Sequence, residues 1–116
     1  TLRITAAGQT LNANRGITLG ASGGTIDTST ISGSAITTTV GGVIAGNGPL
    51  TLKSTGNLTY NGGGDGGLSI KLSQATNTFT GDVTISTGLV SYEANGSFGN
   101  ATNKIILDGG GLLDPN

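Results

Sequence analysis

Residues 77–90 read NTFTGDVTISTGLV. Val83 and Ile85 stand two apart, with Thr84 between them and Asp82 and Ser86 outside. This is the period-2 alternation of a strand with one buried and one wet face. Gly81 and Gly88 bracket the pair, and glycine lets a chain turn through positive φ at little steric cost. The spacing therefore predicts a strand of about six residues that bends away at both ends.

The rest of the chain is built from the same material. Of 116 residues 23 are Gly and 2 are Pro, and charged residues make up only 9%. Disordered low-complexity chains usually combine high charge with few β-branched residues, and neither holds here, so the composition indicates folded β-structure. Aromatic residues amount to Tyr60, Phe79, Tyr92 and Phe98, and Trp and Met are missing. A thick globular core is hard to build from that inventory, whereas a thin core of stacked Val, Ile and Leu is not.

Strand-sized pieces recur without a helical interlude: LRIT (2–5), GITLG (16–20), TIDT (25–28), SAITTTV (34–40), PLTLK (49–53), NLTY (57–60), LSIKL (68–72), DVTIS (82–86), NKIIL (103–107) and GLL (111–113). Such regular spacing suggests a sandwich, a barrel or a β-solenoid. A sandwich usually wants bulkier inner-face residues and a buried aromatic. Short strands, small polar turns and stacked aliphatics match a right-handed parallel β-helix better. The expectation is an all-β chain forming one β-solenoid segment over residues 1–116, with roughly 20–25 residues per coil and about five coils. Val83 and Ile85, Leu50 and Leu52, and Leu68, Ile70 and Leu72 should face inward and stack on equivalents one coil away.

At this point a family resemblance emerges. Residues 77–113, NTFTGDVTISTGLVSYEANGSFGNATNKIILDGGGLL, resemble the autotransporter-associated β-strand repeat, also called the passenger-associated transport repeat, of bacterial type V secretion passengers. The matching positions are Asn77, Phe79 and Gly81, the Val83/Ile85 strand, Gly88 with Leu89, Phe98-Gly99, and the Ile105/Leu107 strand leading into Gly109, Gly110 and Leu112. The upstream stretches 15–28 and 41–63 look like inter-repeat segments of such passengers, which makes 1–76 inter-repeat coils and 77–113 the repeat motif. In one departure Gly88 is followed directly by Leu89-Val90, where the family usually has Gly-x-Leu. The resemblance implies an extracellular stalk at the bacterial cell surface whose coil-by-coil folding assists secretion. An internal parallel also appears: ITLGASGGTID at Ile17 against IILDGGGLLD at Ile105, and LRIT at Ile4 against VTIS at Ile85, as in a tandem array.

Charge and cysteine usage narrow the partners. Five Lys and Arg oppose six Asp and Glu, scattered singly, so no basic stripe is available for phosphates or an anionic membrane. No apolar run approaches a membrane span, and TLRIT is no signal peptide, so any export signal is expected outside this segment. Cysteine is absent, which removes disulfides and thiolate metal sites.

With neither His nor Cys, nucleophilic catalysis has no evident pair. Asp27, Asp65, Asp82, Glu93, Asp108 and Asp114 are dispersed, each reading as a solvated turn or edge residue, as do Lys53, Lys71 and Lys104. Some β-helix proteins cleave polysaccharides with clustered acids and a basic partner, and stacking could bring, for example, Asp82 and Asp108 together. YNGGGDGGLS (60–69) raises calcium, but Asp65 is out of frame with the nonapeptide calcium coil and occurs once. Thr-rich TTTV (37–40) and TIDTST (25–30) raise ice binding, yet the Thr positions share no single spacing in sequence. Asn57, Asn95 and Asn100 begin N-glycosylation acceptor patterns, which a chain so rich in Asn and Thr meets by chance. Hence no catalytic, cofactor-binding or metal-binding residue is assigned, and the chain is expected not to be an enzyme. The function expected is a structural stalk of an autotransporter passenger or adhesin. Its partners are adjacent repeats or head-to-tail copies, with glycans of a host or matrix met only through other segments. Two alternatives stand beside it: a self-assembling β-solenoid filament subunit, and a carbohydrate-binding or carbohydrate-cleaving β-helix module.

Overall fold

A computed structural model describes residues 1–32, 37–56 and 69–113. Among these residues it is all-β apart from a 3₁₀ turn at Asn95–Phe98, and its strands are two to four residues long except the ten-residue strand that starts at Val83. The strands are β1 (Leu2–Arg3), β2 (Thr10–Leu11), β3 (Ile17–Leu19), β4 (Gly24–Asp27), β5 (Thr38–Val40), β6 (Ile44–Gly46), β7 (Leu50–Lys53), β8 (Ser69–Leu72), β9 (Val83–Tyr92), β10 (Ile105–Leu107) and β11 (Gly110–Leu113). Every pairing among them is parallel. Parallel neighbours cannot be joined by a tight hairpin, so each must be reached by a long connection.

The pairings fall into three ladders. The first runs β1, β4, β7, the start of β9, then β10; the second runs β2, β5, β8, the end of β9, then β11. Since β9 belongs to both, these two form one curled nine-stranded sheet. The third ladder pairs β3 with β6, and the amides of Thr78 and Thr80 extend it by donating to the carbonyls of Ile44 and Gly46. In the first ladder Leu2, Ile26, Leu52, Ile85 and Leu107 lie in register, so successive steps span 24, 26, 33 and 22 residues. Connections of unequal length therefore feed a ladder whose inward column stays aligned, with one register shift just after Leu52, where Lys53 pairs with Thr87.

The alternation read in the sequence is what fills the interior. Leu50, Leu52, Val83 and Ile85 are fully buried, and so are Ile70 and Leu72. Leu68 and the NLTY segment lie outside the described residues. With Val40, Ile44, Phe79 and Val90, the buried residues of all three ladders make one cluster. Each aliphatic side chain so buried contributes roughly 1.5–3 kcal/mol, which is how a chain with few aromatics holds a core.

Two features depart from the sequence reading. The strand at Val83 does not end at Gly88 but turns there, with φ of 72°, and continues to Tyr92 in the second ladder. Ser54 holds this corner: its Oγ accepts from the Leu89 amide at 2.8 Å and donates to the Leu89 carbonyl at 2.9 Å. A Cβ at residue 88 would collide with Ser54 Oγ and the Ser54 backbone. Gly88→Ala is therefore expected to cost about 2–4 kcal/mol from backbone strain plus overpacking, read from the urea midpoint. Gly20→Ala, where nothing lies within 4 Å of the added carbon, should stay within about 0.5 kcal/mol of the parent. Second, the parallel between Ile17 and Ile105 is not a structural repeat. Ile17 pairs with Ile44 in the third ladder, whereas Ile105 pairs with Val83 in the first.

Asn77 ties the third ladder together. It is buried; its Oδ1 accepts from the Ile44 amide at 2.8 Å, and its Nδ2 donates to the Ser97 carbonyl at 2.7 Å. One side chain thus bridges the layers before and after its own.

Candidate functional site

The register sorts the outward residues into columns. In the first ladder Thr25, Thr51, Thr84 and Ile106 lie side by side, followed two positions on by Asp27 and Lys53. The three threonines keep no single spacing in sequence, 26 and then 33 residues, yet register aligns them, because connections of unequal length separate the strands. This column is flanked by charged residues and closed by an isoleucine, so it is not a continuous Thr row.

Beside it lies a charged column. Arg3 pairs with Asp27 in register, and Asp27 with Lys53. Arg3 Nε and Nη2 donate to Asp27 Oδ2 at 3.2 and 3.0 Å, while Oδ1 accepts from the amide and hydroxyl of Ser29 at 2.9 and 2.6 Å. The Arg3 side chain is 58% exposed and that of Asp27 only 6%. Asp27 is thus buried rather than a solvated turn residue, since its four acceptor contacts replace water. The Ser29 hydrogen bonds first, and Arg3 after them, hold its carboxyl below the ordinary value of 3.8, against the opposing effect of burial. A lowered folded-state value stabilises the fold fully above the unfolded value and is lost as pH falls through the folded one. Stability should accordingly fall as pH drops below about 4, and Asp27→Asn should flatten that part of the profile in denaturant titrations between pH 6 and 2.

The remaining sequence candidates are not brought together. Asp82 Oδ1 accepts from the Lys104 amide at 2.9 Å, whereas the Asp108 amide donates to the Ile85 carbonyl. Register thus sets the two acids on the order of 13 Å apart along the strand, too far for a shared proton or glycosidic oxygen. Glu93 pairs with Lys71 at 3.2 Å on the surface. Asp65, Asp114 and Asn57 lie outside the described residues; Asn95 and Asn100 are exposed. Among the described residues no group of three or more acids, His or Cys could hold a metal, and no helix is long and apolar enough to cross a membrane.

What stands out is the two ends. Among the described residues the exposed large hydrophobics are Leu2 at 39%, Ile105 and Ile106 at 41% each, and Leu107 at 56%, all in the first and last strands of one ladder. Val83 and Ile85, the ladder neighbours of Ile105 and Leu107, are fully buried. The last strand therefore presents core residues in register with nothing described above them. At the opposite end a cavity of about 220 Å³ is lined by Leu2, Ile17, Leu19, Gly24, Ile26 and Leu50. Strands β1, β2 and β3 at that end, and β10 and β11 at the other, have a described ladder neighbour on one side only. Sequence reading missed the Arg3–Asp27 pair, whose members lie 24 residues apart with no local signal joining them.

Comparison of the chain with family models, curated proteins and solved structures gives no match.

Proposed function

We propose that residues 1–116 form a right-handed parallel β-helix segment that serves as a non-catalytic structural stalk of an extracellular bacterial surface protein, of the autotransporter passenger or adhesin type. The observation that carries this reading is the set of three parallel ladders that share one core while the connections between their steps change length. A coil visiting each ladder once per turn satisfies all the pairings with no crossing of the core. Such a solenoid gains stability by nearest-neighbour stacking and can grow from one end, which suits folding that follows export.

The resemblance of residues 77–113 to passenger repeats supplies the location. Some repeat positions now have a physical purpose consistent with it: Asn77 joins layers, Phe79 fills the core, and Gly88 makes a corner that no side chain fits. These are scaffold tasks, and among the described residues register sets Asp82 and Asp108 apart. Antibody raised against residues 1–116 should label intact cells of the source organism and lose its epitope when whole cells are treated with protease. Labelling that appears only after the cells are permeabilised would contradict surface display.

A further inference from the structure

We propose that Asn100 is an acceptor for an N-linked sugar, joined to its Nδ2 by transfer from a sugar activated as a phosphate or diphosphate ester. The inference stands apart from the stalk reading, since it concerns one exposed turn and not the role of the coil.

Asn-x-Ser/Thr is the pattern at which a glycan is attached to an asparagine carboxamide. Spacing alone meets it by chance in this chain, at Asn57, Asn95 and Asn100, so the surroundings of each asparagine have to separate them. Asn57 lies outside the described residues. At Asn95 the pattern serves the fold. Asn95–Phe98 form the 3₁₀ turn, and Ser97, the hydroxyl residue of that pattern, is fully buried. Its Oγ accepts from the Ala94 amide at 3.3 Å, and its carbonyl accepts from Asn77 Nδ2. That hydroxyl is out of an enzyme's reach and bonds to Ala94 rather than to the Asn95 carboxamide.

Asn100 differs on each count. Asn100, Ala101 and Thr102 are all exposed. Asn100 Oδ1 accepts from the Thr102 amide at 3.0 Å and from the Thr102 hydroxyl at 2.9 Å, and its Nδ2 donates to no described residue. The turn beneath is fixed on both sides. The Asn100 amide donates to the Phe79 carbonyl at 3.0 Å, and the Asn103 amide donates to the Asn100 carbonyl at 2.9 Å. Asn103 Nδ2 donates to the carbonyls of Phe79 and Phe98 at 3.0 and 2.9 Å. Gln74 and Thr76 make the same two contacts as Asn100 and Thr102, so the turn itself is a general device of the fold. What is particular at residue 100 is that an exposed asparagine closes it.

The chemistry follows from those contacts. A carboxamide nitrogen is a weak nucleophile because its lone pair is shared with the carbonyl. The two donors on Oδ1 stabilise the charge that gathers on that oxygen as an Nδ2 proton is drawn off. The nitrogen then attacks C1 of the sugar, and the C1–O bond to phosphate breaks with its electron pair leaving on the phosphate or diphosphate. The proton goes to a base of the transferase, and no oxidant or reductant is needed. Asn100 is thus the acceptor and Thr102 a positioning residue.

The test uses the native protein recovered from its source cells. Trypsin cuts after Lys71 and Lys104, so one peptide, 72–104, carries both Asn95 and Asn100. Electron-transfer fragmentation locates an added sugar within it. The expected result is a sugar on Asn100 and none on Asn95. A single hexose marks a nucleotide-sugar donor and a preassembled oligosaccharide marks a polyprenyl diphosphate donor; either supports the acceptor. Thr102→Ala, expressed in the same cells, should lower the modified fraction roughly tenfold or more, the effect of losing one transition-state contact. Thr102→Ser keeps the hydroxyl and should retain most of the modification. Both substitutions fall at an exposed residue and should leave the circular dichroism unchanged, so the difference between them reports on the hydroxyl and not on folding. An unmodified Asn100, equal modification of Asn95, or full modification of Thr102→Ala would each overturn the assignment.

Discussion

Ile85→Asp is expected to abolish cooperative unfolding. Ile85 is fully buried, with Leu52 in register on one side and Leu107 on the other. Gly110 comes so close that a Cβ on it would collide with Ile85 Cγ2, so no room exists for water to follow a carboxylate inward. An unpaired charge there must either remain ionised at a cost of several kcal/mol or take up a proton. Against a total stability of about 5–15 kcal/mol, that cost removes most or all of the folded population. Ile85→Val, which trims one methylene at the same place, should cost only about 0.5–1.5 kcal/mol. Thermal scans by circular dichroism check the pair. A sharp transition in Ile85→Asp near that of the parent would contradict the inward assignment of the β9 column.

Asn77→Ala should have the second largest effect, through hydrogen bonds rather than volume. Removing the carboxamide orphans the Ile44 amide and the Ser97 carbonyl at a buried position. Each buried group left without a partner costs about 1–3 kcal/mol, so a loss of about 3–5 kcal/mol and a drop of at least ~10 °C in Tm are expected. Asn77→Asp separates the two halves of the argument. It keeps an acceptor for Ile44 but sets an oxygen against the Ser97 carbonyl, so it should recover little of the loss. Parent-like stability in Asn77→Asp would show that the bond to Ser97 contributes nothing.

These two residues also mark what sequence could and could not reveal. The Val83/Ile85, Leu50/Leu52 and Ile70/Leu72 pairs were legible because period-2 alternation is a local property of a half-buried strand. Strand β6 was not legible as one, because GGVIAG has glycines on both sides of a single Val-Ile-Ala run. Gly46 nevertheless belongs to the strand, and its carbonyl accepts from the Thr80 amide of the next layer. The two-residue strand β2 has too few residues for any period. Asn77 was recognised by its place in a motif, yet the bonds that explain it reach 33 residues back to Ile44 and 20 forward to Ser97.

Long-range alignment was the main thing hidden. Thr25, Thr51 and Thr84 share a column although 26 residues separate the first two and 33 the second pair. A search for one fixed period fails on such a chain, and it finds instead the coincidental likeness of Ile17 to Ile105. The buried state of Asp27 was hidden for the same reason, since its guanidinium partner arrives from the preceding step of the ladder.

The measurement that tests the account most directly is the distance between outward positions in successive ladder steps. Nitroxide labels at Thr51 and Thr84 sit 33 residues apart in sequence but on laterally paired strands, whose backbones lie about 4.8 Å apart. The account predicts strong dipolar and exchange broadening of the spectrum for that pair. It predicts weaker coupling for Thr25 with Thr84, one step further apart, and weaker still for Thr25 with Ile106, three steps and roughly 14 Å apart. Sharp, uncoupled spectra from the Thr51 and Thr84 labels in a chain with intact β-sheet dichroism would contradict the parallel ladder on which every other claim depends.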